Sequence, residues 1–213
     1  MPWLVLDGLL ALSALLVLKF ALRSARDLLL VAAMGFPIVG GVHLVASRLG
    51  HPLAGFPEPI VLLTAIHFHY TAFAAPILAS LAGRSRLALL SGLGIVGGTP
   101  LLAAGFLFSP ILKVVGVGVL CGCVIGLALG QLTQAAGLPE RRTKILLALS
   151  SLAVIAGMAL AAVYEHGFYT GRTWISIPRM AWTHGILNGV GFSLLGLLAW
   201  KPPRKQSGPP SGA

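Results

Sequence analysis

A chain of 213 residues with 57% hydrophobic and only 9% charged residues, and a mean hydropathy of +0.93, is far too apolar for a water-soluble domain. Spans of about 20 residues each allow about seven membrane helices with short connections, which leaves no room for a separate soluble domain. The net charge of +10 is not a nucleic-acid signal, because the lysines and arginines gather in the connections on one side of the expected bundle, beside lipid headgroups.

In chain order the apolar runs predict helices over residues 2–22, 28–47, 59–82, 87–107, 111–131, 144–165 and 179–200. The first contains Asp7 and lacks both a basic leading segment and a small-residue cleavage site, so it reads as a retained helix and not a signal peptide. Arg23 to Asp27, Gly83 to Arg86 and Pro139 to Lys144 are tight polar turns, whereas Arg48 to Pro59 and His166 to Pro178 are longer connections. The weakest boundary is Phe108-Ser109-Pro110, where Pro110 suits the first turn of a new helix. The fourth and fifth helices carry many glycines, which let backbones approach closely in lipid. Residues 1–201 form one bundle in this reading, and 202–213, rich in Pro, Ser and Gly, form a disordered tail.

Charge placement gives the orientation. Lys19, Arg23, Arg26, Arg84, Arg86, Arg141, Arg142, Lys144, Lys201, Arg204 and Lys205 fall on one side, against Arg48, Lys113, Arg172 and Arg179 on the other. The expectation is an all-α integral membrane protein of about seven spans, with the N-terminus outside and the C-terminus cytoplasmic. Trp3, Trp174, Trp182 and Trp200 lie near predicted helix ends and read as interfacial anchors.

Polar groups inside such spans are costly and by default functional. His67 and His69 lie about 10–15 Å along the third helix from its outer end, at about 1.5 Å per residue. His43, Asp7, Glu58, Tyr164, Glu165, His166, Arg179, Thr183, His184 and Asn188 fall in the same leaflet, whereas the inner half offers little beyond Gln131 and Gln134. His67, Tyr70 and Thr71, at i, i+3 and i+4, share a helix face, and His69 looks elsewhere. His184 and Asn188 share a face of the last helix, backed by Gly185, Gly189 and Gly191. The expectation is a common cavity faced by His67, Tyr70, His184 and Asn188, with Asp7 and Glu165 as further catalytic candidates. His43, Glu58, His69, Thr71, Thr183 and Arg179 are the substrate-binding candidates. His43 or His69 alone reads more readily as a hydrogen-bonding partner between helices, and Cys121 and Cys123, at i and i+2, as packing residues.

The string Thr64-Ala-Ile-His-Phe-His-Tyr-Thr-Ala-Phe-Ala-Ala-Pro76, followed by Thr183-His-Gly-Ile-Leu-Asn-Gly-Val-Gly-Phe192, resembles the YndJ-like family of bacterial integral membrane proteins. The resemblance implies a multi-pass protein of the bacterial cell membrane whose shared residues include the His-Phe-His-Tyr and His-Gly-x-x-Asn elements.

Three roles compete. The first is an enzyme without cofactor or metal that cyclises, isomerises or opens an epoxide in a lipophilic substrate. Neutral histidine and protonated carboxylic acid would serve as base and acid, and Tyr70 and Asn188 would donate to a developing oxyanion. The second is a zinc hydrolase using His43, His67, His184 and Asp7 or Glu58. The third is a lipid-binding or transport protein, although a proton-coupled transporter would show polar groups through both leaflets. The first is the leading expectation. Its partners are membrane lipid and a lipophilic small molecule, and no nucleic acid.

Overall fold

Ser24 opens the first described helix, its hydroxyl oxygen accepting from the Asp27 N–H at 3.2 Å, which satisfies one of the free donors of the first turn. The computed structural model describes residues 24–82 and 85–200. Asp7, Trp3, Lys19, Arg23, Arg84, Lys201, the predicted helix over 2–22 and the tail therefore lie outside the described residues.

The described residues form helices α1 (Ala25–Arg48), α2 (Ile60–His69), α3 (Thr71–Leu81), α4 (Arg86–Phe108), α5 (Pro110–Ala136), α6 (Arg141–Tyr169), α7 (Ile177–Ile186) and α8 (Leu195–Ala199). Between α7 and α8 runs a π-helical segment, Leu187–Leu194. Read as continuous rods, with α2 joined to α3 and α7 to α8, these give six helices long and apolar enough to cross a membrane. Among the described residues an isolated bridge, Leu53 to Phe56, is the extent of β-structure.

Two local features refine the predicted rods. At Phe108-Ser109-Pro110 the chain breaks fully: Ser109 is extended (φ −161, ψ 125) and its hydroxyl accepts from the Leu112 N–H. Proline at the first helical position has no amide hydrogen to leave unsatisfied. The predicted single helix over 59–82 is instead interrupted at Tyr70 (φ −106, ψ −75). Pro76 cannot donate to the Ala72 carbonyl, which loosens the ladder in this stretch.

The rods pack as a bundle with α3 near its centre, touching α1, α4, α5 and the last span, while α5 packs on α6 and α6 on the last span. Small residues set the spacings. Gly105 lies against the backbone of Lys113 across the α4–α5 hairpin, and a methyl group on Gly92 would meet Ala79 at 2.5 Å. The core joins Leu29, Leu78, Ile95, Leu127, Val154 and Phe192, all nearly or fully enclosed.

Candidate functional site

Two residues apart on the last turn of α2, His67 and His69 point about 200° away from each other and address two different neighbours just before the break at Tyr70. His67 faces the last span, where its ring centroid stands 5.8 Å from that of His184 at an interplanar angle of 35°. His69 faces α1, where its ring fills the space that a side chain on Gly40 would occupy. The Tyr70 ring lies over Gly189, close enough that a methyl group there would sit 3.6 Å from its Cδ1.

Main-chain carbonyls orient the histidines. His67 Nδ1 lies 2.7 Å from the Leu63 oxygen and His184 Nδ1 lies 2.8 Å from the Gly157 oxygen. A carbonyl only accepts, so in each neutral ring Nδ1 carries the proton and Nε2 keeps its lone pair. The two rings differ in surroundings: His184 is 8% exposed, whereas His67 is open to the surface of the described bundle. One member of the pair is therefore sheltered and the other accessible, which suits transfer of a proton between a protected group and an incoming molecule.

Gly157 of α6 is what admits the last span so closely. Its carbonyl accepts from His184, and a side chain there would meet the Asn188 amide nitrogen at 2.8 Å. Asn188 is 4% exposed and turned back on its own helix, Nδ2 donating to the His184 carbonyl at 2.8 Å. Ser193 donates to the Asn188 carbonyl five residues earlier, a bond that belongs with the wider π-helical turn. Such turns are frequent at functional sites.

The expected four-residue cavity thus divides in two. Tyr70 and His69, with Leu44, Ala65 and Ile66, line an open groove of about 400 Å³. His184 and Asn188 lie buried behind His67. The groove is half-walled by exposed apolar side chains, and Tyr70 itself is 50% exposed.

The remaining candidates lie apart. His43 stacks on Phe68 (centroids 6.2 Å, 19°) and its Nδ1 donates to the Val39 carbonyl. Glu58 accepts weakly from the Leu62 N–H at 3.4 Å. Thr71 is half-buried at the start of α3, and Arg179 and Thr183 are exposed, with the Thr183 hydroxyl donating to the Arg179 carbonyl. Glu165 pairs with Lys113 at 2.9 Å, and Lys113 also lies 4.0 Å from the centre of the Phe168 ring. Among the described residues no three His, Cys, Asp or Glu side chains converge as a metal site would need, so His43, His67, His184 and Glu58 do not form the ligand set weighed above. Cys123 packs against Gly94, and both cysteines are free thiols.

Sequence reasoning passed over Gly157 and the partnership of Lys113 with Glu165. The second had a visible signal, since a lone cation inside an apolar run needs an anion nearby. It also understated the inner half of the bundle: Thr143, Ser150, Ser151 and Ser193 are buried there together with Gln131, so the polar groups are not confined to one end. Isolated serines in an apolar helix carry no pattern that separates buried from lipid-facing positions.

Three comparisons bear on this arrangement. A family model described as YndJ-like protein matches residues 1–192. A curated relative, an uncharacterized membrane protein YndJ of Bacillus subtilis (strain 168), is 30% identical over 167 residues, covering 76% of this chain and 30% of the relative. The chain therefore spans about 30% of the length of that relative. No solved structure matches the chain.

Proposed function

The chain belongs to the YndJ-like family and is a multi-pass membrane protein, and from that premise we propose that it performs cofactor-free acid/base chemistry on a lipophilic substrate at the His67–His184 pair. The observation that carries the reading is the anchoring of both Nδ1 atoms on main-chain carbonyls, which leaves two Nε2 lone pairs on adjacent rings. A proton taken by the accessible His67 is stabilised by its neutral neighbour, and the sheltered ring keeps its tautomer through the Gly157 carbonyl. The open groove beside Tyr70 supplies a lateral approach for a lipid-soluble molecule, with the phenol as hydrogen-bond donor to oxygen on the substrate. Ring closure and double-bond shift need only this proton traffic, and epoxide opening adds to it attack on the ring carbon by water or by a double bond or oxygen of the substrate itself.

In this reading the chain crosses the membrane seven times, residues 2–22 supplying the span outside the described residues, with the N-terminus outside. Arg26, Arg86, Arg141, Arg142 and Lys144 at one end of the bundle support that orientation. The site then lies toward the outer leaflet.

The test is mass-spectrometric comparison of a bacterial lipid extract after incubation with the detergent-purified chain, or with its His67→Gln and His184→Gln variants. Conversion of a lipid species by the parent chain alone is the expected result. Identical profiles for the three folded proteins would favour a binding role and overturn the enzyme.

A further inference from the structure

From the middle of the bundle toward its Arg141 end, five buried polar atoms lack a hydrogen-bond partner: both amide atoms of Gln131, the amide oxygen of Gln134, the Ser151 hydroxyl and the Trp200 indole nitrogen. Their positions converge. The Lys113–Glu165 ion pair at one end of the α5–α6 hairpin and the packing of Ala135 with Leu147 at the other fix an antiparallel register. One helical turn from Ala135 stands Gln131, and one turn from Leu147 stands Ser151, so the two come level on facing sides of the hairpin. Trp200 packs against the same Ala135–Leu147 cluster. Gln131 and Ser151 are both wholly enclosed.

Leaving such groups unpaired costs about 1–3 kcal/mol each, so a ligand that satisfies them is strongly favoured. Their chemistry selects it. Donors and acceptors are mixed, which disfavours a metal cation, and none carries a charge that would hold an anion. The small neutral molecule able both to donate and to accept, as this set requires, is water.

The polar groups continue upward from there. Ser150, next to Ser151, donates to the Phe192 carbonyl at 2.9 Å. Ser193 donates to the Asn188 carbonyl, and Asn188 to that of His184. The Asn188 amide oxygen is again buried without a partner. Below, the Thr143 hydroxyl lies 2.7 Å from a Glu140 carboxylate oxygen and 3.2 Å from the Ala199 carbonyl. From Thr143 to Gly157 the seam where α6 meets the last span, joined by α5 at the level of Gln131 and Ser151, covers about 21 Å at 1.5 Å per residue, most of a hydrocarbon core of about 30 Å.

We propose that this seam is a hydrated path through which His184 reaches the aqueous phase at the Arg141 end of the bundle, with Gln131 and Ser151 as its main water-holding residues. It deepens the acid/base reading, because a sheltered base that trades protons with substrate needs a route to restore its starting state. Hydration itself is independent of any turnover.

Cysteine accessibility in membranes tests it. In a full chain with Cys121→Ala and Cys123→Ala, the variants Gln131→Cys, Ser151→Cys and Ser193→Cys are treated with a small water-soluble methanethiosulfonate, applied to either face of the membrane. Ala128→Cys, wholly enclosed among apolar side chains of the same helix as Gln131, is the dry comparison. The expected result is loss of free thiol at positions 131, 151 and 193 from the Arg141 face, with position 128 untouched. Protection of both 131 and 151 in folded protein overturns the proposal, and two independent positions cover the failure of either variant to fold. Reaction at 131 and 151 but not 193 overturns the connection to His184, and reaction at 128 as well overturns the seam in favour of general openness. Because the readout is a thiol, none of these outcomes depends on the lipid-conversion result, which stands or falls separately.

Discussion

His67 and His184 stand with ring centroids 5.8 Å apart, each held through Nδ1–H by a carbonyl of a different helix, Leu63 of α2 and Gly157 of α6. General acid–base groups contribute about 10²–10⁴-fold to turnover. His67→Gln and His184→Gln are therefore expected each to lower the rate of lipid conversion by that amount. Thermal unfolding in detergent separates them. His184→Ala removes a buried ring together with its hydrogen bond to the Gly157 carbonyl and destabilises by about 1–3 kcal/mol, whereas His67→Ala, at an open position, stays within about 0.5 kcal/mol. Equal activity of both glutamine variants and the parent would remove the pair from the mechanism.

Tyr70→Phe isolates the phenol hydroxyl. The ring still covers Gly189, where contact is ordinary van der Waals packing at 3.6 Å or more, so the unfolding temperature is expected to hold. If the hydroxyl donates to developing negative charge, turnover falls by about 10²-fold. An unchanged rate with unchanged stability would confine Tyr70 to shaping the groove.

Gly157→Ala places a methyl group 2.8 Å from the Asn188 amide nitrogen. Asn188 is buried and already committed to the His184 carbonyl, so it has little room to move. Overpacking of this kind costs about 1–3 kcal/mol and displaces the last span from α6, disturbing the His184 ring. Gly185→Ala, with nothing within 4 Å of the added carbon, is the matched comparison and is expected to leave stability unchanged or slightly raised. Melting curves of the two variants side by side check the claim.

Lys113 and Glu165 make an ion pair whose side chains keep 12% and 18% exposure. Removing one partner strands the other charge among the Phe106 and Phe168 rings and the apolar side chains of Val114, Val117 and Ala162. Lys113→Met or Glu165→Gln alone is expected to destabilise by up to about 3 kcal/mol, the low end for an enclosed pair. The double variant recovers much of that loss, because no unpaired charge remains. Additive losses in the thermal melts of this double-mutant cycle would show that the pair contributes no coupling.

Much of the architecture was legible because its causes are local. The apolar run lengths placed the six described spans to within a few residues. Pro110 suited the first turn of a new helix at the weakest predicted boundary, and the structure makes the break there, with the Ser109 hydroxyl capping it. The spacing put His67 and His69 on different faces, and they do meet different neighbours, but Tyr70 lies in one groove with His69, where the rod is interrupted.

The sequence by itself determined that this is a bundle of membrane helices, and the His-Phe-His-Tyr and His-Gly-x-x-Asn elements carried its family. Only the tertiary structure decided that His67 meets His184, that Glu165 is held by Lys113, and that Ser150, Ser151 and Gln131 line an enclosed seam and not a lipid-facing surface. The physical reason is the solvent. In water a helix declares its buried face by the period of its apolar residues, but in lipid both faces are apolar. Rotation and register are then set by where small residues such as Gly40, Gly157 and Gly191 make room for a side chain of the next helix, and that depends on the neighbouring helix as much as on the residue itself.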